Sequence, residues 1–132
     1  MSTLTDPIAD FLTRLRNAAS SHRSDVTVPH SRIKEEITRI LKDEGYITEY
    51  EVDHSSRPAV IKVTMKFVNR TPALTGLKRV SKPGLRKYVA ADEMPRVLGG
   101  TGTAIVSSSR GILTGRQAKR EKVGGELLAI VW

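Results

Sequence analysis

Residues 103–132 read TAIVSSSRGILTGRQAKREKVGGELLAIVW, and the fold is decided in this stretch. Thr103 to Ser108 is a strand-type run, Ser109-Arg110-Gly111 a turn, and Ile112-Leu113 a short return strand. Thr114 followed three residues later by Gln117 is a capping box, because the threonine hydroxyl accepts from the third helical N–H while the glutamine side chain reaches back. The helix it starts is short and basic, with Arg116, Lys119, Arg120 and Lys122. Gly124-Gly125 ends the connection, and Leu127 to Trp132 is an almost unbroken apolar run, the pattern of a strand buried on both faces.

Upstream, Leu74 to Ser81 and Leu85 to Val89 flank Pro83-Gly84, which suits a type II turn: proline fixes the first central torsion and glycine accepts positive φ at the second. A hairpin is expected there. Asp92 to Val97 is expected to form one short helical turn, and Gly99 to Gly102 a flexible entry to the last segment. Further back, Asp6 is a helix cap with Pro7 at the first helical position, and Ile8, Phe11, Leu12 and Leu15 give one apolar stripe as far as about Ala19. Asp25 to Pro29 alternates as a strand. Ser31 caps a second helix whose Ile33, Ile37, Ile40 and Leu41 share a face, with Glu35 and Arg39 pairing on the exposed side and Gly45 ending it. Tyr46 to Val52 and Ala59 to Phe67 read as strands around a turn at 54–58. The expectation is an α+β chain of two lobes: an N-terminal α-β-α-β-β lobe over 1–67, a linker at 68–72, and a mostly β lobe with a short basic helix over 73–132.

Charge separates the halves. Residues 1–69 hold ten Lys+Arg and ten Asp+Glu, whereas residues 70–132 hold twelve bases and four acids, which is the whole net charge of +8. Such a one-sided field concentrates polyanions, and the pI near 10.1 falls where nucleic-acid-binding domains do. Apolar content of 39% is globular rather than that of a disordered polycation. Zero cysteines exclude disulfides and thiolate metal sites and fit a reducing compartment, so a cytoplasmic location is expected. No apolar run suits a leader or a membrane span.

Ser107, Ser108 and Ser109 followed by Arg110 and Gly111 put hydroxyls, backbone N–H groups and a guanidinium on one tight turn, a set suited to ribose hydroxyls, base edges and phosphate. A Ser/Gly turn chosen only for its backbone geometry explains the same residues. The helix start at Thr114, with Arg116, adds a second anion-attracting group. Enzyme motifs are missing: no Gly-x-Ser-x-Gly elbow surrounds Ser109, His22, His30 and His54 lack metal spacing, and Gly99 to Gly102 has no Walker lysine. Neither a cofactor nor a small-molecule substrate is expected. Single-strand binders stack bases on several rings, and the basic half offers only Tyr88 and Trp132, the latter better placed in a core. Structured RNA, read through 2′-hydroxyls and phosphates, is the better target. A free architectural DNA-binding protein and a protein-interaction module are the alternatives; the basic helix is short for groove recognition.

These residues also carry a resemblance. Residues 104–132 closely resemble the C-terminal pattern of the small-subunit ribosomal protein eight family, in which a serine/threonine turn plus glycine precedes a basic helix and Gly-Gly-Glu. TDPIADFLTRLRNA at 5–18, VPHSRIKEEITRILKDEGYI at 28–47 and GLKRVSKPGLRKY at 76–88 are similar to it as well. The resemblance implies a structural protein that binds an irregular helix in the central domain of the small-subunit ribosomal RNA, beside neighbouring ribosomal proteins, and that also suits repression of its own messenger. It implies Ser107, Ser108, Ser109, Arg110 and Gly111 in the RNA groove, Arg86, Lys87 and Tyr88 flanking it, and Glu126 supporting the turn. Asp6, Pro7, His30, Ser31 and Arg32 are secondary contacts on the same ground. Members commonly carry Ser-Thr-Ser at 107–109, and the 53–71 segment follows the pattern only loosely, so no contact is carried over there.

Overall fold

The computed structural model describes residues 6–132. Three α-helices and antiparallel sheets make an α+β fold in two units, one of residues 10–75 and one of residues 76–132 together with residues 6–9. Helix α1 (Pro7–Ser20) starts as predicted: Asp6 Oδ1 accepts from the Ala9 N–H at 3.1 Å. The unit boundary falls in its first turn.

In the 10–75 unit, α1 buries Phe11, Leu12, Leu15, Ala18 and Ala19. It ends with His22 in the left-handed region at φ 54° and the Arg23 N–H returning to the Ala18 carbonyl. Strand β1 (Asp25–Pro29) leads to α2 (Arg32–Asp43), which is capped by the Ser31 hydroxyl and lies against β2 (Ile47–Asp53). Strand β3 (Val60–Met65) is central, pairing antiparallel with β1 and β2, and its Ile61, Val63 and Met65 are buried while Lys62 and Thr64 face out. One helical-face expectation changes. Glu35 is taken by His30 at 2.8 Å and Arg39 by Asp43 at 3.7 Å, so the expected Glu35–Arg39 pair does not form. The expected linker at 68–72 is a tight antiparallel pair, β4 (Phe67–Val68) with β5 (Thr71–Pro72), turned by Asn69 and Arg70 at positive φ.

The other unit is built on β10 (Gly125–Val131), an inner strand. On one side it pairs with β8 (Thr103–Ser108), which continues through the turn into β9 (Gly111–Thr114). The other side differs from the expected hairpin. Strands β6 (Leu77–Arg79) and β7 (Tyr88–Val89) do not pair with each other; both lie antiparallel on the same edge of β10. Leu127 marks the junction: its carbonyl accepts from the Ser81 N–H at 3.0 Å and its N–H donates to the Lys87 carbonyl at 2.9 Å. Ser81 and Lys87 therefore share the place of one strand residue, and residues 82–86 leave the sheet as a detour closed by paired Lys82 and Leu85. Local turn chemistry was satisfied without a hairpin because β10 supplied the better partner.

Ala91–Glu93 forms one 3-10 turn, shorter than the expected turn over 92–97, and Val97–Gly100 is a tight bend with Leu98 and Gly99 at positive φ. Helix α3 (Gly115–Arg120) carries both halves of the predicted capping box. Val97, Ala104, Val106 and Leu127 form one apolar cluster of this unit, with Val80, Val89, Met94, Ile130 and Trp132 packed against it. Trp132 thus joins a core as its sequence suggests. Fully burying a valine or leucine such as Val106 or Leu127 stabilises by roughly 1.5–3 kcal/mol.

Candidate nucleic-acid interface

The sheet register brings the candidate residues together. Ser107 on β8, Glu126 on β10 and Tyr88 on β7 are direct partners across three neighbouring strands, so they share one row and one face. Tyr88 is 71% exposed. At the next row Gly125 replaces a side chain, and a Cβ there would stand 2.2 Å from the Ser107 carbonyl oxygen, so glycine is what allows β10 to approach the serine turn.

Within the turn the three serines divide into two roles. The Ser108 hydroxyl donates to the Gly111 carbonyl at 2.9 Å and accepts from the Arg110 N–H at 3.1 Å, so it builds the turn. Ser107 and Ser109 have no hydroxyl partner among the described residues. Gly111, at φ +101°, supplies the left-handed conformation that a side chain resists. Arg110 extends from the tip to Glu121 at 3.1 Å, an exposed ion pair of the kind that contributes at most about 1 kcal/mol and is readily exchanged for a phosphate.

Glu126 is held, but by the detour rather than by the serine turn. One carboxylate oxygen accepts from the Ser81 hydroxyl and from Arg86 Nη1, the latter at 2.9 Å. Ser81 also accepts from the Lys87 N–H at 3.1 Å. Burial pushes the Glu126 carboxyl up, and the hydrogen bonds from Ser81 and Arg86 outweigh it, holding the carboxyl below its ordinary value; the same bond to Glu126 raises Arg86. Ser81 was not legible as a site residue. The signal available was a small hydroxyl residue directly before Lys82-Pro83-Gly84, a position from which serine commonly bonds the backbone of a turn.

Other candidates sit in structural roles. Thr114 is buried and its hydroxyl oxygen accepts from the Gln117 N–H at 3.1 Å, so that N–H is not available to an anion. Arg116 donates to the Gly100 carbonyl. Asp6 caps α1 and pairs with Arg79 at 3.0 Å, while Arg79 Nη1 donates to the Leu128 carbonyl at 2.7 Å; Pro7 is the exposed first helical residue. His30, Ser31 and Arg32 belong to the 10–75 unit. His30 is bound to Glu35 and edge-on to His54, Ser31 caps α2, and Arg32 is exposed. Among the described residues no group of three or more His, Cys, Asp or Glu is placed to hold a metal, and no helix is long and apolar enough to cross a membrane.

The turn and the row beside it gather serine hydroxyls, an exposed ring and the Arg86 and Arg110 cations on one unit. The family described as "Ribosomal protein S8" matches residues 6–132. A protein of Lactobacillus delbrueckii subsp. bulgaricus named small ribosomal subunit protein uS8 is 55% identical over 130 residues, covering 98% of each chain. The chain belongs to the ribosomal protein S8 family.

Proposed function

We propose that this ribosomal protein is a structural component of the small subunit that binds the central domain of the small-subunit ribosomal RNA directly and helps it fold. The observation that carries the reading is the row Ser107, Glu126 and Tyr88 beside a turn whose Ser107 and Ser109 hydroxyls are uncommitted. Free hydroxyls, an exposed ring and the Arg86, Lys87 and Arg110 cations fit a wide, shallow RNA minor groove, where 2′-hydroxyls and phosphates are the recognisable groups. Ser108 and Gly111 shape the turn, Glu126 fixes the detour, and Thr114 and Arg116 hold the helix that abuts it. Asp6, Pro7, His30, Ser31 and Arg32 are secondary. The same face serves repression of the protein's own messenger through a mimic of the RNA site, and the protein works in the cytoplasm among neighbouring ribosomal proteins.

A competition titration at ~0.15 M salt tests the reading, because weak non-specific binding is suppressed there. An irregular RNA helix from the central domain is expected to bind at least ~100-fold tighter than DNA duplex of the same sequence, about 2.7 kcal/mol. DNA displacing the RNA at comparable concentration would favour an architectural DNA-binding protein instead.

A further inference from the structure

An arginine on a basic face serves either an internal partner or an external anion, and the nitrogen that is bonded tells the two apart. The side-on edge of a guanidinium, Nε with Nη2, has parallel N–H groups that match two oxygens of a phosphate, while Nη1 stands cis to Cδ and off that edge. Arg79 has the edge closed: its Nε donates to Asp6, its Nη1 donates to the Leu128 carbonyl, and its side chain is only 8% exposed. Arg96 and Arg116 each use Nη2 on a backbone carbonyl, of Gly99 and Gly100. Arg110 and Arg86 are held differently. Each gives only Nη1 to a carboxylate, Arg110 to Glu121 and Arg86 to Glu126, and leaves Nε and Nη2 without a partner among the described residues.

We propose that Glu121 is a positioning residue for RNA binding, which fixes Arg110 by Nη1 and leaves the Nε–Nη2 edge open to a phosphate. The inference rests on the RNA-binding reading above. Glu121 is the sole acid between Glu93 and Glu126, a span that holds six bases. By charge alone it opposes a polyanion, so its use on that span has to be local. It has a fixed seat as the C-cap of α3, where its N–H bonds the Gln117 carbonyl at 2.9 Å, and the capping box fixes the other end of the same helix. From there it reaches the tip of the serine turn, 11 residues back, at 3.1 Å. An arginine at such a tip, 59% exposed, has many rotamers, and ordering it on binding subtracts from the contact it makes. With Glu121 in place that ordering precedes the RNA. The pair is weak enough to be exchanged, but a phosphate on the open edge displaces nothing, so carboxylate and phosphate flank one cation on different sides.

The test reads a sign. Glu121→Ala makes the chain one unit more positive than +8, so bulk electrostatics calls for tighter RNA binding, whereas loss of positioning calls for weaker binding. The full chain is titrated with an irregular RNA helix from the central domain at ~0.15 M salt. Glu121→Ala is expected to bind about threefold more weakly, with an unchanged thermal melt. Glu121→Gln, whose amide oxygen still accepts from Nη1, recovers most of that loss. In an Arg110→Lys background the effect of Glu121→Ala disappears or reverses, because an ammonium has no second edge to aim. Glu93→Gln, the same change of charge at an exposed acid with no ion pair among the described residues, does not weaken binding. Glu121→Ala binding as tightly as the wild type, or tighter, overturns the positioning role and makes Glu121 a competitor that phosphate displaces, while the RNA reading stands. An equal loss in the Arg110→Lys background also overturns it, since that loss does not pass through the guanidinium. If the wild-type chain fails to bind the RNA at all, the RNA reading itself falls and this role with it.

Discussion

Ser81, with no solvent-accessible surface, donates its hydroxyl to the Glu126 carboxylate 45 residues away in sequence, and that one bond ties the basic detour to the inner strand β10. Both ends of the tie matter, because Glu126 also grips Arg86 and Ser81 also receives the Lys87 N–H.

Ser81→Ala leaves the Lys87 N–H without its acceptor and takes from the part-buried Glu126 carboxylate oxygen one of its two donors, Arg86 remaining. The expected cost is ~1–3 kcal/mol of stability, and RNA affinity falls because Arg86, Lys87 and Tyr88 lose their fixed placement. A urea melt paired with filter binding reads both. An unchanged melt and an unchanged affinity together show that the detour keeps its shape without Ser81.

Acid weakens the same tie in a defined window. The Glu126 carboxyl is held below its ordinary value of 4.5 in the folded chain, so its contribution is fully present above about pH 4.5 and is lost as the pH falls through the lower folded value. Thermal melts from pH 6 to 3 are expected to fall more steeply for the wild type than for Glu126→Gln, which has no carboxyl to protonate. Parallel curves for the two proteins refute a depressed Glu126.

The serines are expected to separate by readout. Ser107→Ala and Ser109→Ala lower RNA affinity by ~1 kcal/mol or more with an unchanged melt, since each deletes an uncommitted hydroxyl. Ser108→Ala instead lowers the melt, because it breaks the bonds to Gly111 and Arg110. Equal effects of all three on binding alone remove the distinction.

Thr114→Ala removes one half of the capping box, and ~0.5–2 kcal/mol of stability should go with it. Hydrogen exchange at Gln117 is the local probe, because its N–H is the one released. If exchange there stays slow, the cap is not what holds the helix start.

Charge reversal compares the two units. Arg86→Glu with Lys87→Glu is expected to weaken RNA binding and flatten its salt dependence by ~0.7–0.9 per lost phosphate contact, whereas Arg39→Glu with Lys42→Glu has a much smaller effect. Equal losses from both pairs refute a site on the basic half.

Local chemistry was readable and distant pairing was not. Asp6-Pro7, Ser31 and Thr114 with Gln117 announce their helices because a cap needs only residues three apart, and the alternation of Ile61, Val63 and Met65 announces a half-buried strand. Leu74 to Val89 carried every sign of a hairpin, yet its flanks pair with residues 125–131, a choice that no window of a few residues contains. The serine turn was legible as a turn and as a candidate site, but the split between Ser108 and its neighbours depends on which hydroxyl the Gly111 carbonyl meets. Glu35 and Arg39 have ideal spacing for a pair and still took His30 and Asp43, since an exposed ion pair is worth too little to outbid a neighbour already in place.

Leu127 bonds Ser81 on one side of the detour and Lys87 on the other, so the register of the sheet is fixed without reference to how many residues lie between them. Residues 82–85 are accordingly an exchangeable cassette. Changing the length or charge of that segment leaves β6 and β7 on β10, provided the hydroxyl at 81 and the cation at 86 stay to meet Glu126. Grafting a foreign recognition loop there would retarget the basic face while keeping the scaffold.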